Sequence, residues 1–158
     1  MTFDELEMTL RARHDVIIGT GCKEEVAADA ERALGVCFPR ELRKYLVQFG
    51  HLELGPSEMF GLGEELPEHL NIVTMTMLER GDSGSPVRHD LVPLLNDGAG
   101  NLYCVGTSGA ETGCVLYWDH ELGPNQQPKN HATSLAEWII ELLLELDGQN
   151  PLASGKMS

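Results

Sequence analysis

Three short apolar segments in the second half of the chain constrain its fold most strongly. LVPLL (91–95), NLYCVG (101–106) and CVLYWDH (114–120) are rich in branched and aromatic residues, and NDGAG and TSGAETG separate them. Such segments, bounded by glycine and small polar residues, are typical of β-strands joined by tight turns. The pattern predicts an antiparallel meander in which successive side chains, such as Tyr103 and Cys104, point to opposite faces.

The connection NDGAG has a composition that calcium loops, phosphate loops and turns share. A calcium loop needs acidic oxygens at alternate positions, whereas Asp97 is the only carboxylate here. A phosphate loop leads into a helix, whereas the residues after Asn101 alternate as a strand. The segment therefore predicts a turn, with glycines supplying positive φ and Asp97 accepting local hydrogen bonds.

Helical patterns occupy the start of the chain. Thr2 and Glu5 form a capping box before a short amphipathic stretch, and residues 22–35 predict a second helix that Gly35 ends. A third helix is predicted with Pro39 at its first position and Gly50 at its end. Short strands then fit residues 51–67, a fourth helix fits residues 70–81, and residues 81–90 read as a loop.

The closing segment LAEWIIELLLELDG carries the clearest helical period. Ser134 and Glu137 form a capping box before it. One continuous apolar face requires a packing partner, and it comprises Leu135, Trp138, Ile139, Leu142, Leu143 and Leu146. Ile140 and Leu144 lie beside that face and widen it. The helical period is compatible with these two residues forming a dimer surface or packing in the core under the N-terminal helix. The remaining side of the helix carries an acidic stripe at spacing i, i+4, i+8, formed by Glu137, Glu141 and Glu145. Like charges at this spacing repel by about a few tenths of a kcal/mol per pair.

Together these elements predict an α+β fold with a small twisted, mainly antiparallel sheet flanked by N-terminal helices and a C-terminal helix. The length of 158 residues suits one domain, which we assign to residues 1–148, with a disordered tail over residues 149–158. The net charge of −14 disfavours partners that present phosphates or anionic lipid and favours basic ones. No signal peptide or apolar run of membrane-spanning length is visible, so we expect a cytoplasmic protein with reduced cysteines.

Catalytic and metal-binding patterns do not rise above background. Cys22, placed at a helix N-cap, would have a lowered thiol pKa, but no partner is in register with it. The six histidines show no HxxH or HExxH spacing, and WDHE offers one histidine between two carboxylates. Cys104 and Cys114 are interpreted as small buried residues on neighbouring strands. We therefore predict no enzyme activity, no cofactor and no metal.

The ordered set LGVCFPRELRKYLVQFG, EMFGLG, LVPLLNDGAGNLYCV, VLYWDHE and ATSLAEWIIELL resembles the SUKH superfamily over residues 20–147. That group includes the fungal Smi/Knr cell-wall assembly regulators and bacterial immunity proteins of polymorphic toxin systems. The resemblance implies family scaffold positions at Gly35, Pro39, Gly50, Phe60, Gly61, Asp97, Gly98, Gly100, Asn101, Tyr103 and Trp118. Two residues depart from the family pattern, Phe38 and Gly106, so a partner cannot be transferred by analogy.

Members of the superfamily act by binding other proteins, so the resemblance implies a protein-binding role. The leading hypothesis is an immunity protein that neutralises a basic, nuclease-like toxin, because an acidic inhibitor would associate quickly with such a surface. The alternative is a regulatory or scaffold protein of the cell-wall assembly type. Acidic residues in loops beside the predicted sheet are candidate partner contacts, although each also fits solubilising charge: Glu64, Glu65, Glu68, Asp119 and Glu121.

Overall fold

The computed structural model describes residues 2–81 and 86–149, which form five α-helices and seven strands. The helices are α1 (Phe3–Arg11), α2 (Glu24–Leu34), α3 (Arg40–Gln48), α4 (Ile72–Glu79) and α5 (Leu135–Gln149). The strands are β1 (Val16–Ile18), β2 (Leu52–Leu54), β3 (Ser57–Glu58), β4 (Leu91–Asn96), β5 (Leu102–Gly106), β6 (Val115–Trp118) and β7 (Lys129–Ala132). The tail was predicted to begin at residue 149, but Gln149 is the last residue of α5, which is a correction by one position. Residues 150–158 of that tail and residues 82–85 of the predicted loop lie outside the described residues.

The α+β class predicted from the sequence is confirmed, but the strands form two antiparallel sheets rather than one. One sheet has the order β1-β2-β3 and the other the order β4-β5-β6-β7. The second sheet contains the predicted meander, extended by β7 at its edge. Sequence analysis missed β1 because its three residues pair with β2, more than thirty positions later in the chain.

Side chains of the central strands β5 and β6 point alternately to the two faces of the four-stranded sheet, as predicted, and both faces are covered there. Val105 and Val115 point into the main core, which the helices and the first sheet complete. Leu102, Cys104 and Leu116 point the other way, into a smaller apolar cluster that also contains Trp118. Cys104 lies opposite Leu116 in the ladder, so it is not directly across from Cys114, and all four cysteines of the chain are free.

Helix ends in the first half of the chain follow the predicted residues closely. The capping box of Thr2 and Glu5 is present, and Gly35 ends α2 with a φ of 69°. Pro39 is not the first helical residue, which is a correction by one position. Its ψ of 157° is extended, so it caps α3 and the helix begins at Arg40.

Two glycines allow the end of α3 to meet the segment after β3. Gly50 has a φ of 71°, which favours glycine. A Cβ atom added to Gly61 would lie 1.7 Å from the carbonyl oxygen of Gly50, so no side chain fits there. The amide of Leu62 donates to that same oxygen at 2.8 Å, and the Tyr45 hydroxyl donates to the carbonyl of Phe60 at 2.6 Å. The first sheet is thereby fastened to the helices.

Helix α5 packs as its period predicted, except at its edges. Five of the six residues in the predicted face are buried, Leu146 is half-buried, and Ile140 packs half-buried against the main core. Leu144 is 58% exposed, so Ile140 and Leu144 have different environments. Ser134 accepts the amide of Glu137 at 3.1 Å, but the Glu137 carboxylate accepts a hydrogen bond from Thr133, so the capping box is only half formed. No described helix combines the length and apolar character needed to cross a bilayer.

Candidate functional site

The NDGAG segment is a turn between β4 and β5, as predicted. Gly98 and Gly100 have φ values of 91° and 94°. The side chain of Asn96 accepts the amide of Gly98 at 2.8 Å, and Asp97 Oδ1 accepts the amides of Ala99 at 2.8 Å and Asn101 at 3.1 Å. The polar side chains of the turn therefore bind its own backbone.

The same turn is fastened to the next hairpin. Asp97 Oδ2 accepts the hydroxyl of Tyr117 at 2.9 Å, and Asn101 Oδ1 accepts the amide of His120 at 3.1 Å. Desolvation raises the pKa of Asp97, but hydrogen bonds from Ala99, Tyr117 and Asn101 outweigh it, so its pKa lies below the ordinary value. Asp97 is therefore an ionised anchor at the end of the four-stranded sheet.

Beside Asp97 lies a group of aromatic rings that centres on Tyr103. The ring centroid of Tyr103 is 5.1 Å from Tyr117, 5.0 Å from His131 and 5.4 Å from Trp138. Trp138 is buried, while Tyr103 is half-buried and therefore accessible from one side. Strands β5, β6 and β7 and helix α5 thus each contribute one ring to a single cluster.

A groove of about 240 Å³ lies above this cluster, and we call it the acidic groove. Its walls come from the β2–β3 turn, the end of β4, strands β5 and β7, and helix α5. The lining residues are Pro56, Ser57, Leu95, Asn96, Asp97, Tyr103, His131, Trp138, Glu141, Leu142 and Glu145. Three of them are carboxylates from two parts of the fold: Asp97 follows strand β4, and Glu141 and Glu145 belong to helix α5.

The charges around Tyr103 in the acidic groove are negative. Desolvation is the largest cause that raises the pKa of its hydroxyl, and the charges of Asp97, Glu145 and Glu141 raise it further. Desolvation and the hydrogen bond to Asp97 also raise the pKa of Tyr117 to about 12. Both phenols are therefore neutral at physiological pH, and a cation in the groove would meet a field that favours it.

The five acidic residues predicted as partner contacts lie elsewhere. Glu64, Glu65 and Glu68 are exposed on the segment before α4, where Glu68 accepts the hydroxyl of Thr74 at 2.6 Å. Asp119 and Glu121 follow β6, and Asp119 accepts the amide of Glu121 at 2.9 Å. None of the five lines the acidic groove. Sequence analysis did not identify the residues that line the acidic groove. The one pattern that pointed to any of them is the acidic stripe on α5, which includes Glu141 and Glu145.

The predicted position of Cys22 at the N-cap of a helix is wrong. The N-cap of α2 is Lys23, so Cys22 precedes the cap by one residue. Burial, followed by the charge of Glu24, raises the pKa of the Cys22 thiol instead of lowering it. Burial also raises the pKa of the Cys104 thiol. Among the described residues, no group of three or more His, Cys, Asp or Glu side chains is arranged to hold a metal ion.

Comparisons with known proteins agree with the fold. A family model described as SUKH_5, SMI1-KNR4 cell-wall, matches residues 6–144. The crystal structure of a protein from Pseudomonas syringae pv. tomato is similar, with a TM-score of 0.65 and 20% sequence identity over 91% of this chain and 99% of that one. A search of curated proteins gave no match.

Proposed function

Since the chain belongs to the SUKH superfamily, in the SMI1-KNR4 cell-wall group, we propose that it is a non-catalytic protein-binding domain of the immunity type. In this role it binds a cognate toxin domain in the cytoplasm and covers its active site. The toxin is basic, because domains that attack nucleic acids must hold phosphates. Binding requires neither a cofactor nor a metal in the immunity protein.

The observation that carries the proposal is the acidic groove. Three carboxylates from two walls converge on a half-buried tyrosine whose neighbours are also aromatic. Protein interfaces are enriched in aromatic anchors, and opposite charge around such anchors selects the partner and speeds association. The net charge of −14 extends this attraction over the rest of the surface.

The alternative is a regulatory or scaffold protein of the cell-wall assembly type, and the description of the matching family favours it. Both roles use protein binding and differ in the partner. Genome context separates them, because an immunity protein is encoded directly beside its toxin.

The test is to measure binding to the toxin domain encoded next to this protein, at low and high salt. We expect nanomolar affinity and association that slows steeply as salt is added. Reversing Glu145, which lines the acidic groove, to lysine should slow association, whereas the single reversal of Glu25 on α2, outside the groove lining, serves as the matched control. Reversing Glu64 to lysine tests one of the predicted loop contacts against the same control. If the folded protein does not bind the toxin, the immunity role is refuted and the regulatory role is favoured instead.

A further inference from the structure

The acidic groove has the dimensions of a receptor for one side chain. Pockets that bind drug-sized ligands are roughly 300–1,000 Å³, whereas this groove is about 240 Å³. We propose that it receives a single arginine side chain of the partner protein, which stacks on Tyr103 and is held by carboxylates from both walls. This inference deepens the proposed protein-binding function and rests on it.

The aromatic floor supplies the stacking surface. Tyr103 lines the groove, and the buried Trp138 packs against it at 5.4 Å between ring centroids and 31° between ring planes. Tyr117 and His131 pack against Tyr103 at steeper angles, and this fixes the ring in place. A cation over the face of a held tyrosine is attracted by the negative face of the ring. The ring does not need to be ordered when the ligand enters, which favours binding.

The carboxylates are arranged to complete the pocket from two sides. Asp97 is held by Tyr117 and the turn backbone, and Glu141 Oε1 lies 3.0 Å from Nε2 of His131. Glu145, in contrast, has no hydrogen bond or ion pair with any residue in the described part of the chain. It also faces Glu141 one helical turn away, where like charges repel. A positive group in the groove would relieve that repulsion.

Arginine fits these features better than lysine. The planar guanidinium can stack on a ring while its edge donates to carboxylates in two directions, whereas an ammonium is a compact, strongly hydrated point charge. The only lysine or arginine in the four-stranded sheet is Lys129, the register partner of Tyr117, and it does not line the groove. No lysine or arginine lines the groove, and its one basic ring, His131, lies against Glu141, so in the described structure no lysine or arginine of the chain itself is paired with Glu145.

The test uses the full chain and two small probes, N-acetyl-arginine methylamide and N-acetyl-lysine methylamide. Nuclear magnetic resonance titration follows the indole of Trp138 and the amide of Tyr103. We expect the arginine probe to shift both signals and to bind about two- to fivefold more tightly than the lysine probe, because both cations meet the ring but only the guanidinium also donates to carboxylates in two directions, a gain in the range of one exposed ion pair. Thermal unfolding checks that every variant is folded.

Three variants locate the site. Tyr103→Leu removes the stacking ring and Glu145→Gln removes the unpaired carboxylate, and each should weaken the arginine probe about two- to fivefold. Glu137→Gln is the matched control, because it removes the same charge from the same helix outside the groove lining. It should leave the affinity unchanged.

Equal binding of the two probes, equal weakening by Glu137→Gln and Glu145→Gln, or the absence of any shift at Trp138 would each overturn the arginine pocket. These outcomes are independent of the immunity role. A protein that binds its toxin but not the arginine probe retains the proposed function and loses this inference. A protein that binds the probe at the groove but no neighbouring toxin retains the pocket and loses the immunity role.

Discussion

Replacing Gly61 with alanine should strongly destabilise the fold, because the new Cβ atom has no place to go. It would lie 1.7 Å from the carbonyl oxygen of Gly50 and 2.8 Å from the carbonyl carbon. Real Cβ atoms do not approach other atoms closer than 3.0 Å, so the two segments must separate by about 1.3 Å. Both obstructing atoms belong to the backbone, and no side-chain rotation can relieve the contact.

Hydrogen bonds set the magnitude of this effect. The amide of Gly61 donates to Leu70, its carbonyl accepts from Ile72, and the amide of Leu62 donates to Gly50, each at 2.8 Å. Each such bond contributes about 0.5–1.5 kcal/mol net. Loss of two of them, together with about 1–3 kcal/mol for overpacking, gives a destabilisation of about 2–6 kcal/mol. That is a large part of the roughly 5–15 kcal/mol of a typical domain.

Urea unfolding followed by circular dichroism measures the loss as a lower midpoint. Gly63→Ala is the matched control, because neither Gly61 nor Gly63 has a positive φ and a Cβ added to Gly63 would meet only the Cβ of Leu66, at 3.6 Å. It should change the free energy of unfolding by no more than about 0.5 kcal/mol. If Gly61→Ala lowered the stability no more than Gly63→Ala did, the close approach of Gly50 and Gly61 would be refuted.

Three further predictions concern the turn, the thiols and α5. Because hydrogen bonds hold the folded pKa of Asp97 below its ordinary value, its carboxylate stabilises the fold above the unfolded pKa of about 3.9, and this contribution is lost as the pH falls through the folded pKa. Asp97→Asn should therefore lower stability at pH 7 and flatten its decline below about pH 4, measured by urea unfolding across pH. The exposed Cys37 should react with a thiol reagent in the native state, whereas the buried Cys104 should react only on unfolding, which mass spectrometry of the labelled protein checks. Leu144→Lys should change the free energy of unfolding by less than about 0.5 kcal/mol, whereas Leu143→Ala should lower it by about 2–5 kcal/mol, because Leu144 is exposed and Leu143 is buried.

The elements that could be predicted from the sequence are those whose pattern and packing partner are local. The face of α5 repeats over several turns, so its burial at Trp138 and Leu142 followed from the period alone. The alternation through Tyr103 and Cys104 likewise predicted which residues of β5 share a face, and the structure places Cys104 in one apolar cluster and Tyr103 against the other. In both cases the periodicity of the backbone determines the direction of each side chain.

The elements that were missed depend on pairing between distant segments. Val16–Ile18 becomes a strand because β2 is available to pair with it. Lys129–Ala132 is polar and lacks an alternating pattern, yet it pairs with β6 around a bulge. Neither segment carries enough local signal to outweigh a loop. The acidic groove could not be predicted, because His131 lies on β7 and the groove opens between two sheets whose relative position no local pattern encodes.

The sequence predicted electrostatic repulsion along the acidic stripe of α5, but it did not indicate what purpose that repulsion serves. Spacing alone indicated that Glu141 and Glu145 repel each other. In the structure these two carboxylates and Asp97 line one groove and all three act on Tyr103, so the repulsion is concentrated at one place. Solubilising charge would be served as well by residues spread over the surface, where each pair interacts weakly. Charge that is concentrated over an aromatic ring destabilises the free protein and stabilises a complex with a cation. Opposite effects on folding and on binding therefore separate the two explanations: neutralising Glu145 should raise the stability of the free chain slightly and weaken its hold on a basic partner, whereas neutralising a solubilising carboxylate changes neither in that way.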